Sequence, residues 1–439
     1  MTTMLTAVLT GRRRRTRLLQ PAKGMKRLSC LFLCVTGTLS CVSAEEWRER
    51  VRHFADESAW TKQDHYPELT RNALIDSIEA ARVYLLNQQK PEGNFRYEYD
   101  IVLGRFIEDD NAVRQAGTLW SLASLVRDRP TQATRNSVVR GLDFFFRWSR
   151  PLALGRVAPV YPETRTVKTG TVALVSLALI DFMRGQEVFM NTAGRGFYDS
   201  WLTKYLDYLT AMELETGSWG GLYDMDLEKR IAKSSPYYDG ECLLAYCRAA
   251  RYSGRDELIP RLESIAPLLA EKYTVEAWKE DVDSDETKGF FQWGAMAFAE
   301  YAAAGWKDAD TIAETAYALA WWCIHEHRIE IRNGNTGYAV EGLLAVEKLA
   351  RDRGDTDVAD RLAHVSSNIL SRLITWQFGG PFEDANPFFK EHKEQLRAFG
   401  GIMNRRNSGI IRIDVVQHQL HAMLMALNQL FPEEKDDLE

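Results

Sequence analysis

Hydrophobic and polar positions along the 439-residue chain repeat one local pattern six times. Each repeat begins with a loop rich in Gly, Asp or Tyr and continues into a helix-length stretch of small and branched apolar residues. The six stretches begin near Asn111, Lys168, Asp239, Gln292, Asn335 and Asp414. A second stretch with helical periodicity precedes each of them, so the pattern predicts six helical hairpins.

Six consecutive hairpins favour a closed ring, because each hairpin can bury its apolar face only against its neighbours. No Pro/Gly/Ser-rich linker interrupts the hairpins, which indicates one all-α domain with an inner and an outer ring of helices. In such a ring the inner helices all begin on one side. Their N-termini and the preceding loops would then surround a single cleft.

The periodicity predicts twelve helices, with bounds good to several residues. They cover residues 69–88, 111–127, 132–149, 170–183, 198–213, a sixth from 239, 255–272, 288–304, 310–327, 337–352, 357–377 and 414–431. Alternation over residues 94–100 predicts a small β-hairpin insert before the second helix. This insert and the long loop before the last helix both lead into inner helices, which makes them candidate walls of the cleft.

The N-terminal sequence is typical of an export signal. From Met25 it has a basic start, an apolar centre and a small-residue site ending at Ala44, so we expect cleavage before Glu45. Met25 is also a candidate start residue. We predict a signal peptide at 1–44, a lead-in at 45–68, the helical domain at 69–432 and an acidic tail at 433–439, with the mature protein periplasmic or secreted. No later apolar run is long enough to span a membrane.

The net charge limits the classes of partner, and the positions of the cysteines indicate whether disulfides form. The chain has a net charge of −6, and removal of residues 1–44 takes away eight Lys/Arg and no acids, which leaves −14. An acidic surface argues against nucleic acid or an anionic membrane as partner. The three cysteines after the signal, Cys242, Cys247 and Cys323, lie in apolar helices, so we expect buried thiols. The sequence does not indicate an oligomeric state.

Six hairpins, acids at inner-helix starts, many aromatic residues and an export signal together resemble the six-hairpin glycosidase superfamily of (α/α)6 toroids. The resemblance rests on architecture over residues 65–432 and not on a family-specific motif. It implies a site at the N-terminal ends of the inner helices. It also implies a carbohydrate as substrate, since members of the superfamily include glycoside hydrolases, polysaccharide lyases and sugar epimerases.

Four carboxylates at inner-helix starts are the catalytic candidates. Glycoside hydrolysis needs one carboxylic acid and one carboxylate on either side of the sugar. Glu241 and Glu341 lie in the first turns of apolar helices, where burial would raise the pKa of a general acid. Asp414 and Asp110 are candidate partner carboxylates, although an Asp at a helix start is also an ordinary N-cap. A buried Glu that only bonds a neighbouring helix is the structural alternative.

A second set of residues is predicted to bind the substrate. Aromatic rings and hydroxyls commonly line sugar-binding clefts, and arginine forks match carboxylates, so a uronate-containing glycan is a candidate substrate. The predicted substrate-binding residues are Tyr97, Tyr161, Trp219, Tyr237, Tyr238, Tyr338, Arg405, Arg412 and His418. We predict no metal site, because His418 and His421 lack an evident third ligand. We predict no cofactor either, because no nucleotide-binding motif occurs.

These observations predict an exported, glycan-active enzyme of the glycoside hydrolase type. Two alternatives stay open. A uronate polysaccharide lyase or epimerase would use a Tyr or His to move a proton, for which His418, Tyr238 and Arg412 are the candidates. A non-catalytic toroid would bind a polysaccharide during export.

Overall fold

The computed structural model describes residues 66–186 and 191–433. The predicted signal peptide, most of the lead-in and residues 434–439 lie outside these ranges. The described residues contain twelve long helices, numbered here in chain order. They are α1 Arg71–Gln88, α2 Ala112–Asp128, α3 Gln132–Trp148, α4 Thr169–Arg184, α5 Thr192–Met212, α6 Pro236–Ser253, α7 Ile259–Glu271, α8 Asp285–Ala303, α9 Ala309–His325, α10 Gly337–Arg353, α11 Thr356–Ile374 and α12 Ile413–Gln429.

The even-numbered helices form a closed inner ring. Each of them packs against the next even-numbered helix, and α12 packs against α2. Their composition explains this position, since α4 is buried along nearly its whole length from Thr169 to Met183. The outer helices are amphipathic, as in α11, where a buried Leu, Val and Ile stripe faces α10. The predicted all-α (α/α)6 toroid is confirmed.

The inner helices run parallel. At one end, Gly170 at the start of α4 touches Glu241 in the second turn of α6. At the other end, Arg127 of α2 and Arg248 of α6 both bind Asp181 near the end of α4. The N-termini therefore lie on one side of the ring and the C-termini on the other, as the hairpin pattern predicts.

Short strands lie on the N-terminal side of the ring. They are β1 Glu98–Asp100, β2 Arg105–Ile107, β3 Ser149–Pro151, β4 Val157–Pro159, β5 Thr166–Lys168, β6 Leu222–Asp224, β7 Lys229–Ile231 and β8 Ile410–Arg412. They make three antiparallel sheets, ordered β2-β1-β8, β3-β4 and β5-β6-β7. The β1–β2 pair is the predicted hairpin insert, and β8 joins its edge so that the loops before α2 and α12 are tied together. The other strands were not predicted, because three-residue strands carry almost no periodicity.

Two helix starts differ from the prediction for local reasons. Helix α5 begins at Thr192, six residues before the predicted start. The Asn191 side chain accepts a hydrogen bond from the Gly194 N–H and so stabilises the first turn. The sequence did not indicate this turn, because it contains glycine, which disfavours a helix. Helix α7 begins at Ile259, because Asp256–Leu258 forms a separate 3₁₀ turn. The three cysteines after the signal are buried free thiols, as predicted. In the described part of the chain, no helix combines the length and apolarity needed to cross a membrane.

Candidate active site at the N-terminal side of the ring

A fully buried carboxylate, Glu341, lies at the centre of the ring in the second turn of α10. Its Oε1 accepts a hydrogen bond from Nδ1 of His421 at 2.7 Å, and its Oε2 accepts one from Nδ1 of His418 at 2.9 Å. The Nε2 amide of Gln292 donates a further bond to Oε2. Three side chains from α8 and α12 thus hold this carboxylate, which satisfies a group that would be costly to bury alone.

The bond to Glu341 fixes the tautomer of His418. Gln292 Nε2 also lies 3.1 Å from Nδ1 of His418, but two donors cannot bond to each other. We therefore assign a proton to Nδ1, donated to Glu341, with Gln292 donating to the same carboxylate oxygen. In the neutral ring this leaves Nε2 as a hydrogen-bond acceptor and a base. The His418 side chain is 20% exposed, whereas that of His421 is 1% exposed.

Two tryptophans hold the imidazole rings in place. Trp293 packs edge-on against His418 with ring centroids 5.9 Å apart, and Trp120 packs against His421 at 4.4 Å. The two tryptophans also touch each other, at 5.6 Å. The Trp293 ring limits the rotamers of His418 and excludes bulk water from the side of the imidazole that it covers.

Glu241 is the second buried acid at this side of the ring. Its side chain is 3% exposed, and within the described residues its Oε2 has no hydrogen-bond partner. Desolvation by burial raises the pKa of this carboxyl well above its usual value. Its Oε2 lies against Gly170, beside the ring of Tyr238, and burial also raises the pKa of that phenol. A neutral carboxylic acid here can donate a proton or a hydrogen bond.

The two aspartates predicted as partner carboxylates are both engaged by neighbouring side chains. Asp414 receives a two-pronged bond from Arg412, at 3.1 and 3.0 Å, and forms an ion pair with Arg114 at 3.3 Å. It lies inside the first turn of α12, where Arg412 occupies the N-cap position, so the N-cap alternative is wrong for Asp414. Because Asp414 occupies the Nε–Nη2 edge of Arg412, that edge is not available for a bidentate bond to a uronate carboxylate.

Asp110 is exposed and lies just before α2. One of its oxygens accepts a bond from Gln115 at 2.7 Å and the other from the Tyr161 hydroxyl at 2.6 Å. The N-cap of α2 is Asn111, whose side chain accepts the Val113 N–H. Asp110 therefore anchors the loop that carries Tyr161, and the N-cap alternative is wrong for this residue as well.

The predicted substrate-binding aromatics separate into accessible and buried groups. Tyr237 is 50% exposed, and Tyr161, Tyr238 and Tyr338 are half-buried. Tyr97 is only 2% exposed and lies under the guanidinium of Arg114. Arg405 is exposed on the loop before β8.

Trp219 does not lie in a cleft. It is fully buried and packs edge-on against Tyr246, with centroids 5.5 Å apart. Its backbone N–H donates to Asp239, which also accepts from Tyr273 at 2.6 Å and Lys272 at 3.2 Å. The Gly/Trp-rich loop is thereby bound to α6, so both Trp219 and Asp239 stabilise the fold. The prediction that Trp219 binds substrate is wrong for this structure.

Sequence reasoning missed the environment of Glu341. Gln292 binds it, and Trp293 and Trp120 pack against its two histidine partners, but these residues come from α8 and α2, far from α10 in the chain. A signal was present in the middle of α8, where the polar amide of Gln292 stands inside an otherwise apolar stretch from Phe290 to Ala299. No group of three or more His, Cys, Asp or Glu side chains suited to a metal ion occurs among the described residues.

Comparison with solved structures finds proteins of similar architecture. The chain is similar to a D-mannose isomerase, with 12% identity, a TM-score of 0.57 and coverage of 83% of this chain and 100% of that one. It is similar to the cellobiose 2-epimerase of Bacillus thermoamylovorans B4167, with 11% identity, a TM-score of 0.54 and coverage of 80% and 98%.

A third similar structure is a glycoside hydrolase family 76 (mannosidase) from Bacteroides thetaiotaomicron VPI-5482. It shows 12% identity, a TM-score of 0.54 and coverage of 82% of this chain and 99% of that one. Neither a protein-family model nor a curated protein sequence matches the chain. At these identities the likeness establishes the (α/α)6 toroid fold, and the chemistry has to be argued from the site.

Proposed function

We propose that this chain is a carbohydrate-active enzyme that moves a proton on a sugar bound at the N-terminal side of the ring, as an isomerase or epimerase does. The observation that carries the proposal is the His418–Glu341 pair. A buried carboxylate holds the Nδ1 proton of His418, whose side chain is 20% exposed, and the other ring nitrogen is left as a base. This is the arrangement that a general base requires.

Glu341 suits an orienting role better than a nucleophilic one. Both of its oxygens accept hydrogen bonds from ring nitrogens, and its side chain is fully buried. A glycosidase nucleophile or base must instead present a free oxygen to the sugar or to water. The geometry therefore favours the proton-transfer alternative raised by the sequence over hydrolysis by the Glu241 and Glu341 pair.

In this reaction His418 Nε2 removes the proton from the sugar carbon beside a carbonyl, and Glu341 stabilises the imidazolium that forms. Glu241, kept neutral by burial, is the acid available to hydrogen-bond or protonate the carbonyl oxygen. Tyr238 beside it and the exposed Tyr237 offer further hydroxyls to the substrate. The occupied Nε–Nη2 edge of Arg412 favours a neutral sugar over a uronate.

The three similar structures support a sugar as the substrate class, since their names specify a mannose isomerase, a cellobiose epimerase and a mannosidase. Hydrolysis is the second candidate, and one observation favours it. The raised pKa of the Glu241 carboxyl is also what a glycosidase needs in its general acid. In that case a carboxylate such as Asp414 would have to leave its arginine partners to act as base.

The proposal is tested by incubating the protein with reducing hexoses and disaccharides and following isomers and released monosaccharides by NMR. We expect isomerised or epimerised sugar without release of monosaccharide. His418→Asn and Glu341→Gln should each lower the rate by a factor on the order of 10² to 10⁴, the usual contribution of a general base. Release of monosaccharide at an unchanged rate in His418→Asn would favour hydrolysis and refute the proton-transfer assignment.

The location of the enzyme is also a proposal. The basic start, apolar centre and small-residue site before Glu45 support export to the periplasm or beyond. Mass spectrometry of the protein from fractionated cells should give a mature N-terminus at Glu45. An unprocessed chain in the cytoplasm would contradict export without affecting the proposed chemistry.

A further inference from the structure

A cavity of about 360 Å³ opens on the side of the ring opposite to the candidate active site. All six inner helices line it with residues near their C-termini, for example Arg127 of α2, Arg248 of α6 and Gln429 of α12. The cavity therefore lies on the axis of the toroid. None of the residues discussed above as substrate contacts lies on its wall.

One wall is a rigid polar network. Arg248 has a side chain 9% exposed, and it binds Glu300 through Nε at 3.0 Å and Asp181 through Nη1 at 3.1 Å. The Tyr252 hydroxyl donates a hydrogen bond to the same Glu300 at 2.9 Å. Arg251 forms a second ion pair with Glu300. Because these groups hold one another, the wall presents hydrogen-bonding atoms at fixed positions.

The charges that line the cavity nearly cancel. Its cationic side chains are Arg127, Arg184, Arg248, Arg251 and Lys348. Its carboxylates are Asp128, Glu300 and Asp352, and Asp181 lies directly behind the arginines. The C-terminal ends of six helices add partial negative charge at the same face. An anion would gain little net attraction here, so the ligand that fits is neutral.

The wall nevertheless retains both donors and acceptors. Within residues 66–186 and 191–433, Nη2 of Arg248 and Nη2 of Arg251 have no acceptor, and both atoms are open to solvent. The carboxylate of Asp352 lines the same cavity with its side chain 52% exposed, so its oxygens can accept hydrogen bonds. Met296 and Leu349 add apolar surface to the lining, on the same helices as Glu300 and Asp352. Hydroxyl groups that both donate and accept, carried on a compact body with C–H faces, complement such a surface.

We propose that this cavity is a second carbohydrate site, which binds a neutral polyhydroxylated molecule of about monosaccharide size. The volume lies at the small end of the range for ligand sites, roughly 300 to 1,000 Å³. His421 lines the cavity and binds Glu341 through Nδ1 at 2.7 Å.

The test uses 1,5-anhydro-D-glucitol as probe, because this pyranose has no carbonyl to isomerise and no glycosidic bond to cleave. Binding to the full-length protein is followed by calorimetry and ligand-observed NMR. Ala345→Leu fills the cavity, and Arg251→Gln removes a donor with little change in volume. We expect each variant to weaken the binding at this site at least tenfold. Ala133→Leu, on the exposed face of α3, is the matched control and should bind as the wild type does.

The outcomes separate this inference from the proposed function. His418→Asn alters only the opposite side of the ring and should leave binding at the cavity intact, whether or not the enzyme has the proposed activity. No binding by the wild type would overturn the inference, as would wild-type binding in both Ala345→Leu and Arg251→Gln. Displacement of the probe by phosphate at constant ionic strength would show an anion site and overturn the assignment to a neutral ligand.

Discussion

Replacing Glu241 with glutamine should stabilise the protein relative to the wild type, by an amount that grows with pH. Glu241 is 3% exposed, and burial raises the pKa of its carboxyl well above the usual value. An acid with a raised folded-state pKa keeps its proton in the folded chain after the unfolded chain has lost it. The wild type therefore loses stability as pH rises above the unfolded pKa of about 4.3, until the folded pKa is reached.

The slope of this effect follows from one proton. Between the two pKa values the folded state binds one more proton than the unfolded state, which costs about 1.4 kcal/mol for each pH unit. Glutamine does not titrate, so its advantage over glutamate should grow by about 2.7 kcal/mol across two pH units in this window. Such a change is large against a total stability of about 5–15 kcal/mol.

The assay is urea unfolding of both proteins at several pH values from 5 to 7. The difference in free energy of unfolding, variant minus wild type, should rise steadily with pH. Glu286→Gln, on the exposed start of α8, is the control and should show no such trend. A difference for Glu241→Gln that does not change with pH would mean that the carboxyl ionises normally, and the argument for a neutral acid would fail.

Two further predictions concern other parts of the ring. Asp181→Asn should destabilise the fold by about 3–5 kcal/mol in urea unfolding, because three arginines lose a fully buried carboxylate. Since these arginines hold the pKa of Asp181 below its usual value, its contribution should be present above about pH 4 and decline at lower pH; a loss under 1 kcal/mol would contradict this account. Gly170→Ala should impair both folding and activity, because a Cβ there would overlap Glu241 and Tyr238. Gly196→Ala, also in a helix but with nothing near its Cβ, should be neutral or stabilising by about 0.5–1 kcal/mol, and equal effects of the two changes would argue against a crowded site.

The architecture was largely predictable because it repeats. Six loop-then-helix patterns define the inner helices, and parallel inner helices put Glu241 and Glu341 near the same side of the ring. Burial of both acids followed from their small and branched neighbours, and the structure confirms it.

The roles of these residues were less predictable, because they depend on contacts between distant helices. Glu341 is about eighty residues before His418 and His421 in the chain. No local pattern indicates that both of its carboxylate oxygens accept hydrogen bonds from these histidines. The prediction that Trp219 binds substrate was wrong for a similar reason. A tryptophan in a Gly-rich loop is expected to be exposed, but the hydrogen bond from its N–H to Asp239 holds this loop against α6. The cavity opposite to the candidate active site was not predicted at all, because its lining comes from six helices that are far apart in the chain.

The central claim is that His418, oriented by Glu341, transfers a proton on a sugar. It is tested most directly by incubating the protein with reducing sugars in D₂O and measuring deuterium at the carbon beside the carbonyl. The account predicts deuterium at that carbon with the wild type and a loss on the order of a hundredfold or more with His418→Asn. Turnover of sugar without any deuterium incorporation, or equal incorporation by the wild type and His418→Asn, would contradict it.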